Sequence, residues 1–414
     1  MSLSPTWRFL LASGAVVVVA CGGFKNGGGK AAGGDGGASS SSGSSSGSGG
    51  SSGASSSGTG GSSGTGSSGG TGSGSGAGSS SGTGSSSGGS SSGTASSSGT
   101  GSSGSSSGAS SGCTSNCDPC QGSACLTGIV LFGGDNLAPN PDTYAYDGSA
   151  WTAQTSSAAP PHREEAAMAV LGGKAVLFGG SPSGEGGDAL NDTWTWDGLA
   201  WTEEHPSHMP PKRSYHSMAT LGGTVVLYGG SDGTNALADT WTWDGADWTQ
   251  HVVATPPARY AAMMATLGST VVLFGGDGGS DGETPQSDTW LWNGSAWSQP
   301  SNSNSPTGRD SGVMGSVGGK LVLFGGQDLN ANAMNDVWTW DGSDWSENGD
   351  LTTVPDGRFG ACGAVLAGKL VVFGGTTNVT NDFSDTWIYD GTQWFGGPTT
   401  GPSTRAWCTM AGPG

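Results

Sequence analysis

The chain has 414 residues, 83 of them glycine, and its 13 basic residues against 32 acidic ones give a formal net charge of −19. A protein that binds nucleic acid or an anionic lipid surface needs clusters of basic residues that neutralise phosphates. We therefore predict no nucleic-acid partner and no direct contact with an anionic membrane surface.

Residues 1–21 have the pattern of a secretion signal. Arg8 precedes an apolar run, residues 9–20, which is too short to span a membrane and fits the core of a signal peptide. The run ends in VVAC, with Cys21 last, and this tetrad resembles the lipobox of bacterial lipoproteins, whose cysteine is lipidated. The resemblance implies a lipid-anchored protein of the cell envelope, at the outer membrane or the cell surface. Ordinary signal cleavage beside an incidental cysteine is the alternative.

Residues 22–112 consist almost entirely of serine and glycine and show no apolar periodicity. Such a segment cannot bury enough surface to offset its chain entropy. We predict a disordered linker with an average end-to-end distance of ~50 Å, which holds the folded part away from a membrane.

Residues 113–126 form a cysteine-rich segment. Close cysteines indicate disulfides, a zinc site or unpaired thiols. The signal peptide places the segment outside the cytoplasm, so we favour two disulfides, of open connectivity, among Cys113, Cys117, Cys120 and Cys125. Two further cysteines, Cys362 and Cys408, lie in apolar strands and are predicted to be buried thiols.

Residues 127–414 contain one unit six times. The unit is typified by TVVLYGG and, after a loop, DTWTWDGADWT. It reads as a buried strand that ends in two glycines, followed by a tryptophan hairpin with an Asp-Gly turn. A period of about 50 residues with four strands indicates a β-propeller. The glycine pairs are Gly133-Gly134, Gly179-Gly180, Gly229-Gly230, Gly275-Gly276, Gly325-Gly326 and Gly374-Gly375.

Each repeat has four strands, A to D: strand A starts at an arginine, strand B ends at the glycine pair, and strands C and D form the hairpin. The first repeat begins at strand B, and the chain ends with a strand A that has no partner, residues 405–410. Joining the two would remove two open edges. We predict an all-β fold, a six-bladed β-propeller closed by a C-terminal strand that completes the first blade. The strand-A arginines are Arg163, Arg213, Arg259, Arg309, Arg358 and Arg405.

The glycine pairs, aromatic hairpins and strand-A arginines resemble kelch repeats, the family of double-glycine propellers. The resemblance covers residues 127–410. It implies an architecture but no single activity, because kelch-like propellers include protein-binding adaptors, cytoskeletal binders, sugar oxidases and sialic-acid-processing enzymes. It also implies ligand contacts at and just after the arginine, and just after the glycine pair.

Antiparallel pairing puts the arginine and the loop after the glycine pair at the same end of each blade. The six arginines are therefore predicted to ring the mouth of one channel, with Lys174, Lys320 and Lys369 on the opposite face. An aspartate opens each strand C at the mouth end, so an Arg–Asp pair that braces the blade is the alternative role. These aspartates are Asp142, Asp192, Asp239, Asp288, Asp336 and Asp385.

The positions beside the arginine and the glycine pair differ from blade to blade, which makes them the better candidates for ligand selectivity. Those after the arginine are Glu164, Ser214, Tyr260, Asp310, Phe359 and Ala406. Those after the glycine pair are Asp135, Ser181, Ser231, Asp277, Gln327 and Thr376.

These features favour a monomeric, surface-tethered module that binds a protein or glycan without a cofactor. A purely structural surface protein is one alternative. A sialidase-like hydrolase would need three arginines, a tyrosine nucleophile and an acid, which Arg163, Arg213, Arg259, Tyr260 and Glu164 could imitate. A copper oxidase resembling galactose oxidase would need two tyrosines and two histidines, drawn from Tyr215, His216, Tyr260 and His162. Calcium could bind the acidic loop 277–283, although a solvated loop is favoured because EF-hand spacing is absent.

Overall fold

The computed structural model describes residues 125–135, 142–183, 188–278, 284–378 and 381–413. Over these residues the chain forms strands and turns, and none of them belongs to a helix long and apolar enough to cross a membrane. The predicted signal peptide with Cys21, the linker, and Cys113, Cys117 and Cys120 lie outside the described residues. Cys125 is described and is disulfide-bonded.

Within the described ranges, twenty-four strands form six four-stranded antiparallel sheets, each with the spatial order A-B-C-D. The A strands are β4 (Ala167–Leu171), β8 (Ser217–Leu221), β12 (Met263–Leu267), β16 (Val313–Val317), β20 (Cys362–Leu366) and β24 (Thr409–Ala411). The B strands are β1 (Ile129–Phe132), β5 (Lys174–Phe178), β9 (Thr224–Tyr228), β13 (Thr270–Phe274), β17 (Lys320–Phe324) and β21 (Lys369–Phe373). The C strands are β2 (Thr143–Tyr146), β6 (Thr193–Trp196), β10 (Thr240–Trp243), β14 (Thr289–Trp292), β18 (Val337–Trp340) and β22 (Thr386–Tyr389). The D strands are β3 (Trp151–Ala153), β7 (Trp201–Glu204), β11 (Trp248–His251), β15 (Trp297–Ser298), β19 (Trp345–Glu347) and β23 (Trp394–Gly396).

The ring closes as the sequence predicts. Strand β24, from the C-terminus, pairs antiparallel with β1, so that Leu131 lies opposite Met410 and Phe132 opposite Thr409. The first blade thus takes strand A from one end of the folded region and strands B, C and D from the other. This confirms the six-bladed propeller and its closure.

The glycine pair makes the contact from one blade to the next. Gly179 and Gly180 have φ values of +59° and +93°, a region that glycine adopts without strain. A Cβ on Gly179 would lie 2.7 Å from the carbonyl oxygen of Arg213 in the following blade, so no larger residue fits there unless the backbone shifts. The Gly180 N–H donates a hydrogen bond of 3.0 Å to the same oxygen. The second glycine of every other pair makes the equivalent bond, and these six bonds form a closed circle.

A disulfide joins Cys362 at the start of β20 to Cys408 just before β24, with Cα atoms 5.5 Å apart. The prediction of two buried thiols is therefore wrong. Ring closure brings the A strands of the sixth and first blades side by side, although the two cysteines are 46 residues apart in sequence. The bond fastens the closing strand to its neighbour.

The first tryptophan of each strand D is anchored to the preceding blade. In five blades its indole N–H donates to the threonine hydroxyl that opens strand C of that blade, at 2.9–3.0 Å. In the sixth blade the partner position holds Val337, and the buried indole N–H of Trp394 has no acceptor among the described residues. One repeat therefore lacks a bond that the other five make.

We expect Val337→Thr to raise the free energy of unfolding by about 0.5–1.5 kcal/mol, because the hydroxyl supplies the acceptor that Trp394 lacks. Val322→Thr is the matched control, since Val322 is equally buried and lies within the apolar cluster. Urea denaturation should show the first variant stabilised and the second destabilised. Equal destabilisation of both would show that the missing acceptor does not limit stability.

Candidate functional site at the channel mouth

The strand-A arginines are buried and paired with aspartates of the same blade. Arg213 donates from Nη1 and Nη2 to the two carboxylate oxygens of Asp239, at 2.7 and 2.8 Å. It also donates from Nη1 to the Gly229 carbonyl at 2.9 Å and from Nε to the Pro211 carbonyl at 3.0 Å. Four of the five N–H donors of the guanidinium are thus directed inward, towards the blade itself. The other four such pairs are Arg163–Asp192, Arg259–Asp288, Arg309–Asp336 and Arg358–Asp385.

Each pairing keeps the aspartate charged. Burial opposes charge on Asp239, but the hydrogen bonds and positive charge of Arg213, with the indole N–H of Trp241, outweigh it and hold the pKa of Asp239 below its usual value. The same causes lower the pKa of Asp192, Asp288, Asp336 and Asp385.

The first blade departs from this pattern. The Nη2 of Arg405 donates to the Ser403 hydroxyl at 3.1 Å, and the guanidinium lies 5.2 Å from the ring centre of Tyr144. Asp142 lies instead 3.1 Å from Nδ1 of His162. Within the described part of the chain, the Arg–Asp pair is therefore formed in five blades and is replaced by other contacts in the first blade.

This geometry is that of bracing and does not match an arginine-lined mouth. The six arginines have 0–1% of their surface exposed, so their guanidinium groups are covered in this structure. The expectation that these groups would attract an anion, or bind the carboxylate of a sialidase substrate, does not fit the buried ion pairs. Lys174, Lys320 and Lys369 are exposed at the other end of the B strands, as the predicted topology places them.

The structure brings together the two sets of flanking residues. In each blade the residue after the arginine forms an antiparallel bridge with the residue after the glycine pair. The six bridges are Asp135–Ala406, Glu164–Ser181, Ser214–Ser231, Tyr260–Asp277, Asp310–Gln327 and Phe359–Thr376. Their backbones are therefore fixed, while their side chains differ from blade to blade.

The position that follows these bridged residues was not predicted as a set, and only Tyr215 among its members was considered from the sequence as a site residue. Its six residues form a closed circle of backbone hydrogen bonds, in which each N–H donates to the carbonyl of the equivalent residue in a neighbouring blade, at 2.7–2.9 Å. All six have φ between +54° and +62°, which is uncommon for residues other than glycine. The residues of this circle are Glu165, Tyr215, Ala261, Ser311, Gly360 and Trp407. We call it the inner circle.

A cavity of about 110 Å³ opens at the inner circle. Large side chains occupy one half of the circle, where Tyr215 and Trp407 flank Glu165, and their two rings meet edge-on with centroids 5.5 Å apart. Ala261, Ser311 and Gly360 occupy the other half. Ala261 and Ser311 are small and line the cavity, whereas the Trp407 ring lies over Gly360, 3.0 Å from where a Cβ would stand.

The titratable groups at the cavity are perturbed mainly by burial. Burial raises the pKa of Glu165 to about 8, with a further increase from the charge of Glu164 and against the lowering effect of the Tyr215 and Ser214 hydroxyls. Glu164 beside it has a pKa raised to about 7 by burial and by the charge of Asp135. Burial lowers the pKa of His216 to about 3, so its imidazole is neutral at physiological pH.

The structure holds no cluster of three or more histidine, cysteine or acidic side chains suited to a metal ion within the described residues. Of the four residues considered for copper, His162 is bonded to Asp142 and His216 is fully buried beside Phe178. Residues 279–283 of the acidic loop considered for calcium lie outside the described part.

A family model described as KLHDC2/KLHL20/DRC7 Kelch-repeats domain matches residues 114–276 and 242–411. Together the two matches span the six blades and well over half of the chain. No curated protein matches the sequence.

Proposed function

Because the chain belongs to the kelch-repeat family, whose propellers are typical protein-interaction modules, we propose that it is a binding module held at the cell envelope. Its ligand, a protein or a glycan, binds at the mouth of the propeller channel. The flanking residues and the inner circle contact the ligand, and the buried arginines hold those residues in place.

The observation that carries this proposal is the contrast between backbone and side chains at the mouth. Six bridges and the inner circle repeat the same backbone geometry in every blade. The side chains on that backbone vary from blade to blade, whereas the arginines, glycine pairs and hairpins are nearly invariant. Five of the six inner-circle residues are not glycine and yet have a left-handed backbone. Strained backbone of this kind commonly accompanies functional sites.

A protein and glycan array probed with the purified chain tests the proposal. Tyr260→Ala alters the mouth, where the Tyr260 hydroxyl contacts the Asp277 carboxylate at 3.1 Å. The triple variant Lys174→Ala, Lys320→Ala, Lys369→Ala alters the opposite face. We expect array ligands to lose affinity for the first variant and to keep it for the second. Ligands that lose affinity only for the triple variant would show that binding occurs on the face opposite the mouth and would contradict the proposal.

Anchoring through Cys21 is part of the same proposal, supported by the lipobox-like VVAC and the long serine and glycine tract that follows it. We expect Cys21→Ser to move the protein from the membrane fraction to the soluble fraction of the producing bacterium. Cys113→Ser is the matched control, because it removes a cysteine beyond the linker, and it should stay with the membrane. If the Cys21→Ser variant also remains in the membrane fraction, the proposal that Cys21 carries a lipid anchor is wrong.

A further inference from the structure

We propose that the cavity at the inner circle binds a cationic side chain, an arginine or lysine of a protein partner, with Glu165 as the residue that pairs with it. This inference rests on the proposed function, since it takes the mouth to be the binding surface and names the chemistry of the group that enters.

The first observation is an unpaired carboxylate oxygen. Glu165 has 6% of its surface exposed and lines the cavity, and its Oε2 has no hydrogen-bond partner among the described residues. A buried acceptor without a partner is costly, and the cost is larger for a charged group. A guanidinium or ammonium in the cavity would supply the missing donor together with the opposite charge.

The second observation is that nearby positive charge is already used. Arg163 and Arg213 direct their guanidinium groups to Asp192 and Asp239. His216, which also lines the cavity, is neutral because burial depresses its pKa. The acids are not balanced in the same way, since Asp135 and Asp188 both raise the pKa of Glu164 through their negative charge. The cavity therefore favours a cation over an anion.

The third observation is the shape and character of the walls. Tyr215 and Trp407 stand on either side of Glu165 in the inner circle, and the Tyr260 ring lies 6.0 Å from the Tyr215 ring. Aromatic faces attract guanidinium and ammonium groups, most strongly where water is excluded. The small side chains of Ala261 and Ser311 leave an opening opposite. The space suits the end of one side chain and is too small for a folded element.

Binding a cation should be linked to pH. The ligand charge stabilises the ionised carboxylate, so affinity should increase as pH rises through the raised pKa values of Glu164 and Glu165, about 7 and 8. The titratable groups that act on this pair are Asp135, His162, Asp188 and Tyr215. Elsewhere at the cavity, Tyr260 acts on Tyr215, and Arg213 and Asp239 act on His216. Of these, His162 would lose charge as pH rises, which acts in the same direction.

The test is fluorescence anisotropy of a labelled octa-arginine peptide with the purified full chain between pH 6 and 9, because arginine keeps its charge throughout this range. We expect binding that tightens by up to about tenfold per pH unit below pH 8. Glu165→Gln should weaken binding at pH 8.5 by about tenfold or more, the usual effect of losing a hydrogen bond to a charged group, and should flatten the pH profile. Glu203→Gln, an exposed acid on β7, is the matched control and should change the affinity less than twofold.

Thermal denaturation separates folding from binding, because Glu165→Gln removes a buried charge and should melt at or above the wild-type temperature. Equal affinity of both variants for octa-arginine, or a pH-independent affinity, would overturn the inference and indicate non-specific attraction to an acidic protein. An anionic or neutral array ligand that depends on Tyr260 would also overturn it, while leaving the proposed function intact. If array ligands keep their affinity for every variant with a substitution at the mouth, that result would instead contradict the proposed function itself.

Discussion

Deletion of residues 404–414 is expected to open the ring and to abolish cooperative unfolding. The deletion exposes the backbone of β1 along one edge and removes the buried side chains of Cys408, Met410 and Ala411. It also breaks both inner-circle bonds of Trp407. Burial of a large apolar side chain such as Met410 contributes about 1.5–3 kcal/mol, and loss of the disulfide adds about 2–4 kcal/mol. These two contributions sum to about 3.5–7 kcal/mol. The lost pairing of β1 adds to them, so the total is comparable with a usual stability of ~5–15 kcal/mol.

Urea denaturation followed by tryptophan fluorescence measures this effect. The truncated chain should also carry Cys362→Ala, so that no free thiol complicates the result. The matched variant is Cys362→Ala with Cys408→Ala, which keeps the closing strand and removes only the covalent bond. It should lose about 2–4 kcal/mol and still unfold cooperatively. A truncated chain that unfolds at the same urea concentration and with the same slope as the full chain would show that closure does not depend on β24.

Asp239→Asn is expected to destabilise the propeller by about 3–5 kcal/mol, which lowers the melting temperature by roughly 5–15 °C. The substitution leaves the guanidinium of Arg213 buried with no opposing charge, and it weakens the acceptor of the Trp241 indole. Asp142→Asn is the matched control. Because Arg405 in that blade is held by Ser403 and Tyr144, and Asp142 contacts a half-exposed histidine, the cost should stay below about 1 kcal/mol.

Differential scanning calorimetry of both variants distinguishes the two outcomes. The braces also predict an acid limit, since an aspartate with a lowered pKa stabilises the fold above its unfolded pKa and loses that contribution as pH falls through the folded value. The wild type should therefore lose stability below about pH 4, and Asp239→Asn should lose less over the same interval. Equal effects of Asp239→Asn and Asp142→Asn would contradict the bracing role.

The fold could be predicted from the sequence because the residues within a single repeat specify most of the structure of a blade. Alternation in segments such as DTWTW sets which side chains face the neighbouring blade, and the glycine pair marks where the chain must pass close to it. Ring closure could be predicted as well. The strand-A pattern that begins at Arg405 has no strand B after it, and the strand B that begins at Ile129 has no strand A before it. These features depend on residue type and spacing alone.

The site was only partly predictable. The flanking residues follow from topology, but the inner circle has no signature, because its left-handed backbone is imposed by the ring and not by residue type: glutamate, tyrosine and tryptophan adopt it alike. The direction of each arginine side chain depends on whether it pairs with the aspartate of its own blade or faces the channel. The spacing of residues in the sequence does not determine this choice. The Cys362–Cys408 bond depends on ring closure, which brings together strands distant in sequence.

Photo-crosslinking of the tightest array ligand, followed by mass spectrometry of the modified peptides, tests most directly the claim that the channel mouth is the binding surface. The account predicts crosslinks to peptides that contain Glu164 and Glu165, Tyr215, Tyr260 or Trp407. Crosslinks confined to the A–B turns beside Lys174, Lys320 and Lys369 would contradict it.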